Sequence, residues 1–354
     1  MIASVKRLSL KDHLHWRLLF VLMAAYLCVS CNNQKSYIDI TGPAMGSTYT
    51  IRLVPQRGVR IETQEVKTSV DSLLEVINLQ MSTYVDNSEI SLFNKLSKNS
   101  AIVISDNFRT VIQRASYWSN LTNGAFDISS FPLVNTWRLG KLDRENKDVW
   151  IPPTDLEITV AKSNIGYKKI KLVSTSLIKS FDEQKLDVNA IAKGWGVDRL
   201  FIYIQSLGYK NFMVEIGGEV RVSGSNNRGA DWRIGIDSPE PNFQPGEKIF
   251  AVIPIKDKAM ATSGNYRDFY EYDSKKYSHI INPITGKAVE SNIASVTVLA
   301  ANCMDADALA TALNIMSLSD GMKLVEGLDD IDALWVISRD GNLESVKSSK
   351  MRLD

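Results

Sequence analysis

Apolar residues return at helical intervals along several stretches of the chain. Val66, Val70, Leu73 and Ile77 share one face, so the spacing predicts a helix from about Thr63 to Leu79. Asn87 or Ser88 can cap a short second helix, and Phe108, Val111, Ile112, Ala115 and Trp118 predict a third that ends near Gly124. Val197, Leu200, Ile204 and Leu207 form the buried stripe of a helix opened by the run from Lys185 to Asp198. Alternation takes over at Phe212, Val214 and Ile216, a strand that turns at Gly217-Gly218-Glu219 and continues through Val220 and Val222. Further strands are expected at 232–236, 249–255, 260–262 and 295–300. Hairpins are expected over 168–181, around Asp273-Ser274-Lys275, and at 334–346 through Asp340-Gly341-Asn342, with a helix near 320–328. Residues 37–54 read as two strand pieces interrupted by Gly42-Pro43-Ala44-Met45-Gly46, which puts Met45 on a kink or bulge. Residues 124–133 read as a polar and aromatic loop, and 140–160 as a surface insertion with a short helix.

The stretch from Asn302 to Leu313 organises the rest. Its alanines and leucines favour helix, so Asp307 and Thr311, four apart, stand one above the other on one face while Leu309, Ala310 and Leu313 supply an apolar one. A stacked carboxylate and hydroxyl offer hard oxygen ligands of the kind Mg²⁺ takes. The same pattern admits a plainer reading, in which Asp305 or Asp307 complements the positive helix end and Thr311 bonds back to the main chain. Upstream, Gly194 and Gly196 fall in the first turns of a helix, where each costs roughly 1 kcal/mol relative to alanine, so something is expected to pack closely there. Lys193 beside them is a candidate phosphate contact near a helix start.

With 44% hydrophobic and 23% charged residues over 354 positions, the chain has ordinary globular composition and material for one large domain or two. A net charge of +1 gives no reason to expect nucleic acid or an anionic membrane surface as partner. The first thirty residues differ: Lys6, Arg7, Lys11 and Arg17 precede an apolar run from Leu18 to Leu27, and small residues lead to Cys31. That order describes an export signal over residues 1–30, not a membrane span. Its loss leaves a net charge of −2, because four positive charges and one negative charge go with it. Leu27-Cys28-Val29-Ser30-Cys31 resembles a bacterial lipobox, with Cys28 departing from the usual leucine, so Cys31 is the expected lipidation site and 31–36 a tether to residues 37–354. The expected location is the cell envelope, anchored on the periplasmic or external face of a bacterial membrane. Past the signal, His279 is the sole histidine and Cys303 the sole cysteine after Cys31, so imidazole chemistry rests on His279 and no disulfide forms inside the domain.

Seven motifs in order resemble the ApbE family of bacterial FAD:protein FMN transferases. They are Ala44-Met45-Gly46-Ser47-Thr48, Met81-Ser82-Thr83-Tyr84, Gly124-Ala125-Phe126-Asp127, Leu186 to Gly194, Ile216-Gly217-Gly218-Glu219, His279-Ile280-Ile281-Asn282-Pro283 with Thr285-Gly286, and Ala306 to Leu313. The resemblance implies that FAD is held by Met45, Tyr84, Ala125, Phe126, Asp127, Asp187, Lys193, His279, Ile280 and Ile281. It implies Mg²⁺ on the Ala190 carbonyl, Asp307 and Thr311, with Ala310 nearby. His279 is the candidate general base or orienting group, and Asp187 shares the candidacy. The implied reaction attaches FMN to a threonine or serine of an acceptor flavoprotein subunit of a membrane redox complex through a phosphoester bond, with AMP leaving. The expected fold is an α+β domain of mixed, largely antiparallel sheet with packed helices, its flavin site between subdomains. Two rivals stay open: a Mg²⁺-dependent FAD pyrophosphatase giving AMP and FMN, and a lipoprotein that binds FAD without turnover.

Overall fold

The structure is a computed structural model that describes residues 36–354 except 61, 140–149, 241, 242, 245 and 265–268. Cys31, the signal and most of the tether lie outside the described residues. Residues 37–354 form one compact unit.

An eight-stranded sheet runs through that unit. Its strands in chain order are β1 (Ile38–Ala44), β2 (Ser47–Leu53), β6 (Phe212–Ile216), β7 (Glu219–Ser223), β10 (Ala259–Gly264), β13 (Ile293–Ala300), β14 (Asp332–Arg339) and β15 (Asn342–Lys347), and they lie side by side in that order. Every pairing is antiparallel. Three small strands, β3 (Ala101–Val103), β4 (Lys171–Val173) and β5 (Ser176–Ile178), make a separate sheet, while β8 (Trp232–Asp237) with β9 (Ile249–Ile255) and β11 (Phe269–Tyr272) with β12 (Lys275–Ser278) are hairpins. The helices are α1 (Thr63–Met81), α2 (Glu89–Lys95), α3 (Asp106–Leu121), α4 (Phe131–Leu139), α5 (Asp155–Ser163), α6 (Asn189–Ser206), α7 (Cys303–Ile315) and α8 (Leu318–Glu326). The expected α+β class with a largely antiparallel sheet is what is found.

Alternation assigns the two faces of the sheet. Phe212, Val214 and Ile216 of β6 and Ala259 of β10 pack with Val197, Leu200 and Ile204 of α6, and Val296 and Val298 of β13 pack with α7. On the opposite face Val220, Val222, Met260 and Leu299 meet Trp232, Ile253 and Ile255 of the β8–β9 hairpin. A smaller cluster joins Leu133 and Trp137 of α4 to Ile158 and Ala161 of α5 and to Ile281. Helix α7 is therefore sandwiched rather than amphipathic, with eleven of its thirteen residues buried.

Four local expectations need correction. The chain from Ile38 to Ala44 is one strand paired through Pro43, because β1 is the sheet edge and a missing N–H there costs no ladder bond. Met45 and Gly46 form the hairpin turn instead of a bulge, with φ of 48° and 78°, the double positive-φ signature of a type I′ turn. Leu207 is 39% exposed, since it caps α6 and leaves the buried stripe. The loop expected through Leu133 gives way to helix at Phe131: Leu133 and Trp137, four apart, are too few to announce a helix by period, yet both are buried.

Candidate active site

Where α6, α7, the end of β10, the 125–130 loop and the segment after β12 meet, they enclose a cavity of about 340 Å³. Eleven of the residues singled out from the sequence line it: Ala125, Phe126 and Asp127 from the loop, Asp187 ahead of α6, Ala190 and Lys193 on α6, His279, Ile280 and Ile281, and Asp307 and Thr311 on α7. Residues up to 190 apart in the chain, from Ala125 to Ile315, thus frame a site built mainly on two crossing helices.

The crossing explains the glycines. A Cβ on Gly194 would lie 2.4 Å from the Cys303 carbonyl oxygen and 2.8 Å from Asp307 Cβ, so α6 and α7 approach at backbone distance. That contact lets the Gly194 N–H donate to Asp307 Oδ2 at 2.9 Å. Ala190, at the start of the same helix, lines the cavity together with Asp307. At Gly196 the Met45 sulfur stands 3.2 Å from where a Cβ would be. Met45 therefore packs behind α6, against the core, and does not line the cavity.

The N-terminal turn of α7 is tied down independently. Asp198 accepts the N–H groups of Cys303 and Met304 at 2.9 Å each and a bond from Arg221 Nη1 at 2.7 Å. Asp305 accepts from Arg114, from Trp118 Nε1 and from Asn302 Nδ2. Of the two aspartates in this turn, Asp305 has the structural duty and Asp307 faces the cavity.

Three of the charged side chains that line the cavity, Lys193, Glu219 and Asp307, act on one another. Lys193 Nζ donates to Glu219 Oε1 at 2.6 Å. Burial alone would push the Lys193 ammonium down, but Glu219 and Asp307 beside it hold it above the ordinary lysine range. Burial, aided by Asp307, pushes Glu219 up to about 8 against the pull of Lys193. Burial likewise raises Asp307, opposed by Lys193 and the Gly194 N–H. Glu219 is 3% exposed and its Oε2 has no hydrogen-bond partner. Asp187 Oδ1 accepts the Asn189 N–H at 2.8 Å; burial raises its carboxyl, with that bond and Arg138 opposing.

Four candidates differ in how they stand to the cavity. Asp127 lines the cavity, yet its Oδ1 accepts from Ser129 N and Oγ and its Oδ2 from Tyr167 N, so its carboxylate staples the 125–130 loop. Tyr84 is 76% exposed at the rim and accepts a bond from Arg138 Nη1 at 3.2 Å. Ala310 is buried in the core beside the cavity wall. His279 is exposed and lines the mouth.

A sequence model of the ApbE family matches residues 45–335. The chain belongs to the ApbE family. It is 37% identical over 334 residues to the FAD:protein FMN transferase of Vibrio cholerae, covering 94% of this chain and 97% of that protein. It is 33% identical to the FAD:protein FMN transferase of Haemophilus influenzae, covering 93% and 94%. The structure of the flavin transferase ApbE from Vibrio cholerae superposes with a TM-score of 0.78 at 38% identity, over 89% of this chain and 97% of that one. The apo flavinyl transferase ApbE of Pseudomonas stutzeri superposes at 0.77 with 30% identity, over 89% and 96%. Within this ApbE-family site, Glu219, Arg138, Asn189 and Thr262 to Gly264 line the cavity without having been singled out from the sequence. For Glu219 a signal existed: a Gly-Gly pair opening a strand next to an acid, with φ of 58° and 102° at the two glycines.

Proposed function

We propose that this ApbE-family chain is a FAD:protein FMN transferase that uses Mg²⁺ and moves FMN from FAD onto a threonine or serine of an acceptor flavoprotein. The observation that carries the reading is one cavity joining an anion contact, Lys193, to a set of oxygen donors, Asp307, Thr311 and Ala190. The donor set fits Mg²⁺: a buried carboxylate, a hydroxyl one helical turn away and a main-chain carbonyl are hard oxygens. Mg²⁺ held there would neutralise the pyrophosphate and stabilise charge as the bond between its phosphates breaks.

The remaining work falls to the side chains. Lys193 presents an ammonium to a phosphate, its position fixed by Glu219. Ile280, Ile281, Ala125 and Phe126, all buried, give the cavity apolar walls that exclude water. In the transfer, the acceptor oxygen bonds to the FMN-side phosphorus, the bond from that phosphorus to the AMP oxygen breaks, and the hydroxyl proton passes to a base. His279 at the mouth lies where an incoming protein can reach it, and Asp187, whose carboxyl burial has raised, is the second candidate for that proton. The product linkage is a phosphoester. The acceptor is a flavoprotein subunit of a membrane redox complex, and a lipid on Cys31 keeps the enzyme at the envelope where such a complex resides.

The test incubates purified residues 32–354 with FAD, Mg²⁺ and an acceptor domain, following nucleotides by chromatography and the acceptor by intact mass. The expected result is a mass gain of one FMN with AMP release, abolished by EDTA. AMP and free FMN without acceptor labelling would point to hydrolysis, and tight binding with FAD unchanged across several acceptors would overturn the enzyme reading.

A further inference from the structure

Arg138 lines the cavity together with Asp187, Asn189 and Ala190, yet no sequence motif singled it out. It stands exposed near the end of α4. Among the described residues its guanidinium has a single polar partner, the Tyr84 hydroxyl, to which Nη1 donates at 3.2 Å. One neutral oxygen leaves most of the five N–H donors of a guanidinium to other partners. Both side chains are mounted on fixed backbone. Trp137, next to Arg138, is buried, its Nε1 donates to the Gly286 carbonyl at 2.8 Å, and Trp150 stacks on it with ring centroids 6.3 Å apart. In the turn from α1 to α2 the Tyr84 N–H donates to Ser82 Oγ at 3.2 Å, and Ser88 Oγ donates to the Ser82 carbonyl at 2.6 Å. An exposed pair held this way adds little to the stability of the fold and is preorganised for a ligand.

The size of the cavity says what reaches them. At about 340 Å³ it stands at the lower end of small-ligand pockets, which take a drug-sized molecule into roughly 300–1,000 Å³. FAD is larger than that, because it joins two flat heterocycles through two sugars and two phosphates. With the phosphates at Lys193 and the oxygen donors of α6 and α7, one ring is left to project past the rim, where Tyr84 and Arg138 stand. A phenol meets a flat ring by offset stacking, and a guanidinium meets one plane to plane. A phosphate contact suits Arg138 less well, since a charge in solvent is screened and Lys193 already serves that part of the ligand from a half-buried position.

We propose that Arg138 is a ring-binding residue: its guanidinium plane, steadied by the Tyr84 hydroxyl, stacks beside the Tyr84 ring on the one flat heterocycle of FAD that projects from the cavity. The inference rests on the transferase reading in taking FAD as the ligand, with its phosphates at Lys193. Flavin and adenine are both flat, and the experiment decides between them.

The full chain, with Mg²⁺ and without acceptor, is titrated with FAD as wild type, Arg138→Gln, Arg138→Lys, Tyr84→Leu and the double variant Tyr84→Leu/Arg138→Gln. FMN and ADP, each carrying one of the two rings, are measured by competition. The expected result is that Arg138→Gln and Arg138→Lys both weaken FAD by about fivefold, the scale of one cation–aromatic contact, because lysine keeps the charge and loses the plane. The same factor should appear with only one of FMN and ADP, which names the ring, while the other changes by less than about twofold. The double variant should lose less than the two single losses combined. Full retention of FAD affinity by Arg138→Lys, or an equal loss of FMN and ADP, marks a charge contact with phosphate and overturns the inference. Both side chains are exposed, so melting temperatures should hold, and a loss of binding that merely follows a fallen melting temperature overturns it too. Failure of wild type to bind FAD would overturn this inference and the transferase reading together, whereas FAD binding that is insensitive to both Arg138 variants overturns this inference alone.

Discussion

Two acidic centres lie within one turn of α7, and they are built on opposite rules. At Asp305 every donor is present: Arg114 grips both carboxylate oxygens, and Trp118 and Asn302 add two more bonds. At Asp307 and Glu219 the donors are short. Gly194 serves one oxygen of Asp307, Lys193 serves one oxygen of Glu219, and Glu219 Oε2 meets nothing. The first centre fastens α3 to α7. The second leaves electrostatic demand unmet inside a cavity, which is what a binding site requires. A satisfied polar network stabilises, and an unsatisfied one selects a ligand.

The sharpest break of this contrast is at Asp305. Asp305→Ala strands the Arg114 guanidinium and the Trp118 indole and should cost about 3–5 kcal/mol of stability. Denaturant unfolding would record that loss, while transfer per folded molecule stays near wild type. Asp307→Ala inverts the outcome. Transfer should fall on the order of a hundredfold or more, the scale of losing one preorganised charge contact, and the melting temperature should hold or rise because a desolvated carboxylate is gone. A stable Asp305→Ala protein, or an unfolded Asp307→Ala one, would undo the comparison.

Gly194→Ala tests the crossing on which both centres hang. The new methyl meets backbone of Cys303, which cannot give way as a flexible side chain would, so about 1–3 kcal/mol of stability should be lost together with the Gly194 to Asp307 bond. Gly208→Ala, at the open end of α6 but at positive φ, should cost about 1 kcal/mol from backbone strain and leave transfer intact.

A smaller effect is expected on pH dependence. Because the folded-state pKa of Glu219 is raised to about 8 from an ordinary 4.5, the folded protein binds this proton more tightly than the unfolded chain. Its contribution to stability is therefore full below about pH 4.5 and is lost as pH rises through about 8. Melting curves of the metal-free protein should decline over that window, and Glu219→Gln should flatten the decline. Smallest of all, Tyr84→Phe removes only an exposed hydroxyl from Arg138 and should change transfer by less than about threefold.

Most elements were legible from periodicity, since apolar stripes on α1, α3 and α6 and alternation in β6 and β7 are local consequences of 3.6- and 2-residue repeats. Helix α4 was not, because two buried side chains carry no period. The glycines of α6 announced a close approach correctly, as Gly194 demonstrates. What they could not announce was the neighbour. Likewise the sequence put Asp307 and Thr311 on one face of a helix but left Asp305 and Asp307 interchangeable.

By itself, then, the chain determined its α+β elements, the helix carrying Asp307 and Thr311, the solitary His279 and the motif order that marks the ApbE family, because all of these are properties of local spacing. Tertiary structure alone decided that Asp305 would be saturated and Asp307 exposed to the cavity, that Asp127 would staple its own loop, that Met45 would pack behind α6, and that Glu219 would join Lys193 with one oxygen left over. Burial and partner count set these roles, and both depend on residues that meet only when α6 and α7 cross at Gly194.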